Sequence, residues 1–183
     1  MNLTIDDQHV YRLDGNVVPG VNEILQDCGL VNTQYIKPVY AERGKALHKA
    51  CHLLDLGELD WSSVPEEYLP FIENYIAWKQ QTGAKILESE VMLYHSILGF
   101  AGTLDKIVDI DGEIGVVDLK FGQHMKHYPL QLTAYGYLLM DYKGLEEKPP
   151  IACIHLKDGI KVREHEYSTV FDACLKLWRF KNG

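Results

Sequence analysis

Apolar residues recur at helical spacing through Pro38–Leu56, where Ala46, Leu47, Ala50, Cys51 and Leu54 share a face and Gly57 follows as a stop. A second stripe, Tyr68, Phe71, Ile72, Tyr75 and Ile76, predicts a helix opened by Ser63, Pro65 and Glu66 and closed by Gly83. Three strand-like stretches come next: Lys85–Tyr94, Phe100–Ile110 and Glu113–Phe121. Asp111-Gly112, between the last two, is a strong signal for a two-residue hairpin turn. The pattern then predicts a helix over roughly Leu130–Tyr142 and a hairpin pairing Ile151–Lys157 with Ile160–Tyr167 across Asp158-Gly159. Ser168 caps a last helix that runs to Arg179. At the front of the chain, Leu3–Asp6 and Val10–Leu13 read as short strands and Pro19–Cys28 as a short helix closed by Gly29. Such an order predicts a mixed α/β sandwich around one central sheet.

Charge breaks the apolar pattern at the first hairpin. With Asp111-Gly112 as a tight turn, facing residues sum to 223, so Asp105 is expected opposite Asp118. Facing Cβ atoms lie about 4.5–5.5 Å apart, a distance at which two carboxylates repel. Val116, Val117 and Leu119 surround Asp118 and predict a strand buried on both faces, where an uncompensated charge is costly. A hard divalent cation supplies the compensation, and Mg²⁺ suits a site of few carboxylates with several retained waters. Lys120 projects from the same strand face as Asp118.

Bulk properties narrow the classes. The chain has 183 residues, no repeat and no Pro/Gly/Ser-rich linker, so a single domain over 1–183 is expected. Its hydrophobic fraction of 46% and charged fraction of 24% are those of a water-soluble globular protein. No apolar run reaches membrane-span length, and MNLTIDDQHV lacks the plan of a signal peptide, so the expectation is no membrane partner and a cytoplasmic location. Cys28, Cys51, Cys153 and Cys174 are scattered without a C-x-x-C pair, which reads as buried free thiols rather than a zinc or iron–sulfur site. A net charge of −8 argues against a passive nucleic-acid coat, but not against an enzyme that meets phosphate through cations and a local basic strip.

Asp105 followed by Asp118-Leu119-Lys120 resembles the bipartite signature of the PD-(D/E)XK nuclease superfamily. Arg43-Gly44-Lys45-Ala46-Leu47-His48 resembles the helical R-G-x-x-x-H motif of its RecB-like branch, Gly102-Thr103-Leu104-Asp105 that branch's G-[ST]-[ILV]-D strand, and Gln131-Leu132-Thr133-Ala134-Tyr135 its Q-x-x-x-Y helix. These motifs occur in the family's order over roughly residues 43–135, and the remainder fits a phage-type exonuclease in outline. The resemblance implies a restriction-endonuclease-like core, a central mixed β-sheet flanked by helices. It further implies a DNA exonuclease dependent on Mg²⁺ or Mn²⁺. His48, Asp105, Asp118 and the Leu119 carbonyl would then hold the metal, and Lys120 would orient or deprotonate the attacking water. Gln131 and Tyr135, at i and i+4, would hydrogen-bond the scissile strand or brace Lys120. Glu90 is the first choice for the family's acid on the preceding strand, with Glu88 behind it; two residues apart, they share a face and parity does not separate them. Phage-type recombination or DNA end processing is the implied setting, with a homo-oligomer and a recombination partner protein as candidate partners beside DNA.

Other polar residues carry weaker signals. Arg43, Lys45, Lys49, His124, Lys126 and His127 are candidates for a basic strip that receives phosphates, with Tyr128 as a stacking platform; the competing reading is a solvated surface. His48, His52 and Asp55 fall on one helical face, but Lys49 stands where a zinc protease needs glutamate, so His52 reads as a residue that packs or supports a ligand from behind rather than as a ligand. Without Asp105 and Asp118, His48 itself would read as a core histidine. The rival functions are a structure-specific or single-strand endonuclease of the same superfamily, a non-catalytic nucleic-acid-binding module, and a zinc hydrolase built on His48 and His52.

Overall fold

The computed structural model describes residues 2–31 and 38–182. Its centre is a five-stranded mixed sheet in the order β4 (Lys85–Tyr94), β5 (Ala101–Ile110), β6 (Glu113–Lys120), β7 (Ile151–His155), β8 (Lys161–His165). Neighbours run antiparallel except β6 and β7, which are parallel and joined through helix α4 (Tyr128–Lys143). Helix α2 (Pro38–Leu56) and helix α3 (Leu69–Thr82) cover one face. Helix α1 (Val21–Asp27), α4 and helix α5 (Thr169–Asn182) cover the other.

The two faces carry separate cores. Leu47, Cys51, Ile72, Tyr75 and Trp78 of α2 and α3 meet Val108, Val117, Leu119 and Ile154. Ile24, Leu132, Leu138 and Phe171 of the opposite helices meet Leu104, Ile107, Val116 and Cys153. A sheet covered on both sides needs nearly continuous apolar strands, and Val116, Val117 and Leu119 provide that run in β6. The four cysteines are free, three of them buried. Among the described residues no helix is long and apolar enough to cross a membrane.

Some boundaries differ from the sequence pattern for local reasons. The N-terminal segment is a three-stranded sheet, β1 (Leu3–Ile5), β2 (Tyr11–Leu13) and β3 (Asn16–Val18), with one strand more than expected. Asp14 and Gly15 both take positive φ, 48° and 86°, as the hairpin turn between β2 and β3 requires; a three-residue strand is too short to show alternation. The helix expected to open at Ser63 begins only at Leu69, after two 3₁₀ turns at Trp61–Ser63 and Glu66–Tyr68. Pro70 explains the delay, because its ring tolerates only the first turn of an α-helix. The last hairpin pairs His155 with Lys161, so its strands stop short of Asp158-Gly159 and a longer connection joins them.

Candidate active site

The first hairpin keeps the register expected from Asp111-Gly112: Ile110 faces Glu113, and the pairing runs to Lys106 facing Val117. There it ends, one step before Asp105 and Asp118 would meet. β6 continues alongside β7, with Asp118 beside Cys153 and Lys120 beside His155. β5 continues alongside β4, but that ladder passes from Ser89–Lys106 directly to Val91–Leu104. Both of β5's ladders therefore lapse at Asp105, which sits in a fork of the sheet. Leu104 and Ile107 face the same core, so the side-chain alternation slips at this point.

The backbone in the fork is satisfied by side chains. The Asp105 carboxylate accepts the Leu119 N–H at 2.7 Å, in place of a strand carbonyl. Opposite it, Glu90 takes φ 55°, a left-handed conformation that costs a non-glycine residue on the order of 1–3 kcal/mol. This turn of the backbone separates the two glutamates, which do not share a face. Glu88 pairs with Lys143 at 2.5 Å and accepts from the Tyr142 hydroxyl at 3.0 Å. Glu90 instead points at α2, where His48 Nδ1 lies 3.9 Å from its Oε1 and 3.4 Å from Asp105 Oδ2.

His48, Glu90 and Asp105 each offer a ligand atom, all within 4.8 Å of one another. Two of those atoms, His48 Nδ1 and Glu90 Oε1, are buried with no hydrogen-bond partner. Burial pushes the His48 imidazole down to about 4, leaving a neutral ring with a lone pair to give. Burial, reinforced by Asp105, pushes Glu90 up to about 7. The Asp105 carboxyl is likewise raised by burial, although Lys120 and the Leu119 N–H oppose the shift. Two crowded carboxylates and a neutral imidazole with orphaned donor atoms fit a divalent cation that prefers oxygen and accepts one nitrogen.

Asp118 stands beside this cradle rather than in it. It is 2% exposed and its Oδ2 is ion-paired with the Lys120 ammonium. Burial raises the Asp118 carboxyl to about 6 against the pull of Lys120. Burial works against the Lys120 ammonium, but Asp118 and Asp105 more than offset it and hold its pKa above the ordinary lysine value. Gln131 Oε1 accepts from Lys120 Nζ at 3.0 Å, while Gln131 Nε2 donates to the Tyr135 hydroxyl at 3.0 Å and to Asn22 Oδ1 at 3.2 Å. Gln131 and Tyr135 thus brace the lysine. Tyr128 covers it, with Lys120 Nζ 4.3 Å from the ring centroid. Gly102 permits the close approach of α4: a Cβ there would lie 2.9 Å from Leu138 and 3.1 Å from Tyr135.

Of the other sequence candidates, Arg43 stacks between the rings of Tyr40 and Phe71, at 5.2 and 5.6 Å, and Lys45 and Lys126 are exposed. Leu119 meets Asp105 through its N–H. His52 Nδ1 lies 2.9 Å from Ser89 Oγ. Sequence reasoning missed the group behind it. Lys106, with no exposed area, donates to Ser89 Oγ at 2.5 Å and to Asp55 at 2.6 Å, and Asp55 also takes Tyr75 and Lys79, each at 2.7 Å. A strand lysine reads as exposed by default, and only the His48/His52/Asp55 spacing hinted that a polar face of α2 meets the sheet.

No protein-family model matches the chain. It is 22% identical over 200 residues to the human mitochondrial genome maintenance exonuclease 1, an overlap covering 91% of this chain and 56% of the relative. The chain thus spans just over half the length of the curated relative it matches. Among solved structures, a Eubacterium rectale protein carrying a provisional exonuclease name superposes with a TM-score of 0.46 at 13% identity, over 86% of this chain and 69% of that one. LHK-Exo in complex with dAMP gives 0.42 at 10% identity, over 90% and 87%. Superpositions this loose carry nothing about the site.

Proposed function

We propose that this chain is a divalent-metal-dependent DNA exonuclease of the PD-(D/E)XK, RecB-like kind, hydrolysing phosphodiester bonds with Mg²⁺ or Mn²⁺. One observation carries it: a three-residue ligand cradle, His48, Glu90 and Asp105, lies beside a buried aspartate–lysine pair in a fork of the central sheet. Similarity to an exonuclease over most of the chain supports the same reading. Recombination of the phage type, or end processing, is the setting we propose, with DNA as substrate.

His48, Glu90 and Asp105 would hold the cation, with Asp118, ion-paired to Lys120, as the further carboxylate we propose beside them. A bound divalent ion supplies a water of lowered pKa and polarises a phosphoryl oxygen. In the metal-free protein Asp118 and Asp105 hold the Lys120 ammonium charged; from that position it would hydrogen-bond the attacking water or a phosphate oxygen and offset the charge that grows there. Gln131 fixes the direction of that ammonium and Tyr128 shields it from water.

The test is digestion of linear DNA labelled at the 5′ or the 3′ end, with and without Mg²⁺, beside a circular single strand. Label release from linear DNA only with metal, and an intact circle, is expected. Asp118→Asn should lower the rate by on the order of 10²–10³-fold while the circular dichroism spectrum is retained. A cut circle would establish an endonuclease instead, and metal-independent or absent hydrolysis would overturn the assignment.

A further inference from the structure

Beyond Lys120 the sheet carries a second polar centre that the cleavage chemistry does not use. Residues paired across adjacent strands share a face, so Lys120, His155 and Lys161 form one row across β6, β7 and β8. Asp118, Cys153 and Arg163 form the row beside it. With strands about 4.8 Å apart, Lys161 lies roughly 10 Å from Lys120 along this face. The segment after β6 borders an open pocket of about 160 Å³ on this side, lined by His124, His155, Lys157, Lys161 and Arg163, with Asp158 its one acid.

Three histidine rings meet at this place. His124 lies 5.4 Å from His155 and stacks 6.2 Å from His165, centroid to centroid. His155 is 7% exposed and lines the cavity, yet its Nε2 has no hydrogen-bond partner, and the buried Nε2 of His165 has none either. Burial, then His124 and Arg163, lower both imidazoles from their ordinary value, at a pocket where the basic side chains outnumber the single acid, Asp158. A transition metal is a poor occupant. Among the described residues the only convergence of three ligand atoms is the His48, Glu90 and Asp105 cradle. An anion fits better, because it would take up the free ring nitrogen and neutralise Lys157, Lys161 and Arg163 together.

We propose that this pocket is a phosphate subsite, holding a phosphate group of the same nucleic-acid strand whose neighbouring phosphodiester lies at Lys120; the strand's identity rests on the nuclease function proposed above. The physical link is β7 itself: His155 is the register partner of Lys120, and the Leu156 N–H donates to the Lys120 carbonyl at 2.9 Å. A phosphate seated here would fix where the strand lies relative to the cleavage centre. An internal phosphodiester and a terminal phosphomonoester share the required chemistry.

Two measurements test it. In metal-free protein, inorganic phosphate should shift the NMR ring resonances of His155 and His165, with His9 as the distant control. Separately, binding of a fluorescent single-stranded oligonucleotide is followed by anisotropy over a salt series. Arg163→Glu and Lys161→Glu, both exposed positions, should each weaken binding about tenfold and lower the salt slope by roughly 0.7 for each phosphate left unneutralised, while Lys176→Glu on α5 does neither. An oligonucleotide with a 5′-phosphate compared with one ending in hydroxyl separates the sources: weakening confined to the phosphorylated strand assigns the terminal group, equal weakening the internal one. Unshifted histidines together with unchanged affinity and slope in both variants would overturn the subsite, and would leave the nuclease function standing if the wild type still cuts DNA. Shifted histidines in a protein that cuts no DNA would keep the anion pocket and remove its assignment to a scissile strand.

Discussion

Glu90 concentrates the chemistry of the site in one residue. It occupies a left-handed backbone position, leaves a buried carboxylate oxygen without a partner, and is pushed up to about 7 by burial and by Asp105. Its folded-state pKa is raised, so the stability it permits is present below its unfolded value near 4.5 and is lost as pH rises through about 7. Glu90→Gln, fixed in the neutral form, should match the wild type at pH 4.5 and exceed it at pH 8. Denaturant midpoints of metal-free protein at the two pH values check this, and an equal difference at both would contradict it. At this scale the sequence was readable where motif and spacing agree: Asp105, Asp118, Lys120 and His48 do meet in space. The choice of Glu90 over Glu88 was not, because a single positive φ undoes the two-residue parity on which it depended. Lys106 was invisible for a different cause, since its burial is made tolerable by Asp55, a residue fifty-one positions earlier.

Among the elements, the decisive feature is where the ladders stop. Asp-Gly turns set hairpin register, and the pairing of β5 with β6 was therefore legible as far as Lys106 and Val117. The fork beyond was not, because it turns on side-chain contacts distant in sequence: the Asp105 carboxylate takes the Leu119 N–H, and Glu90 leaves the β4–β5 ladder with a positive φ. Asp105 and Asp118 are accordingly not the facing ladder pair expected: Asp105 turns to His48 and Glu90, and Asp118 pairs with Lys120. The start of β6 is fixed by Gly115, where a Cβ would sit 2.8 Å from the Pro150 carbonyl oxygen, the same atom that accepts the Val116 N–H at 2.9 Å. Backbone cannot yield there as a side chain would. Gly115→Ala should cost roughly 1–3 kcal/mol in a denaturant titration and disturb the β6–β7 register that sets Lys120 beside His155. An unchanged midpoint would show that the Pro150 segment moves freely.

For the molecule as a whole, the α/β class and the order of the elements from α2 onward followed from periodicity, because those helices and the strands of the central sheet display their own repeat, whereas the three-residue strands β1 to β3 do not. Val116, Val117 and Leu119 already indicated that both faces of the sheet are covered; which helices cover which face did not follow, since periodicity shows that a face is buried but not what covers it. The net charge of −8 is likewise a whole-chain property that conceals a basic face running from Lys120 to Arg163. Folding joins α2 from one layer and the α4 side from the other through the opening at Asp105, and that meeting assembles the three-residue cradle proposed to hold a cation. Manganese binding reports on it without requiring any substrate. In an electron paramagnetic resonance titration of free protein, the wild type should bind Mn²⁺. Glu90→Gln and Asp105→Asn should weaken that binding at least about tenfold, and Glu88→Gln, whose carboxylate serves Lys143, should leave it unchanged. Equal binding by the wild type, Glu90→Gln and Asp105→Asn, or no binding by any of them, would contradict a cation held in the fork.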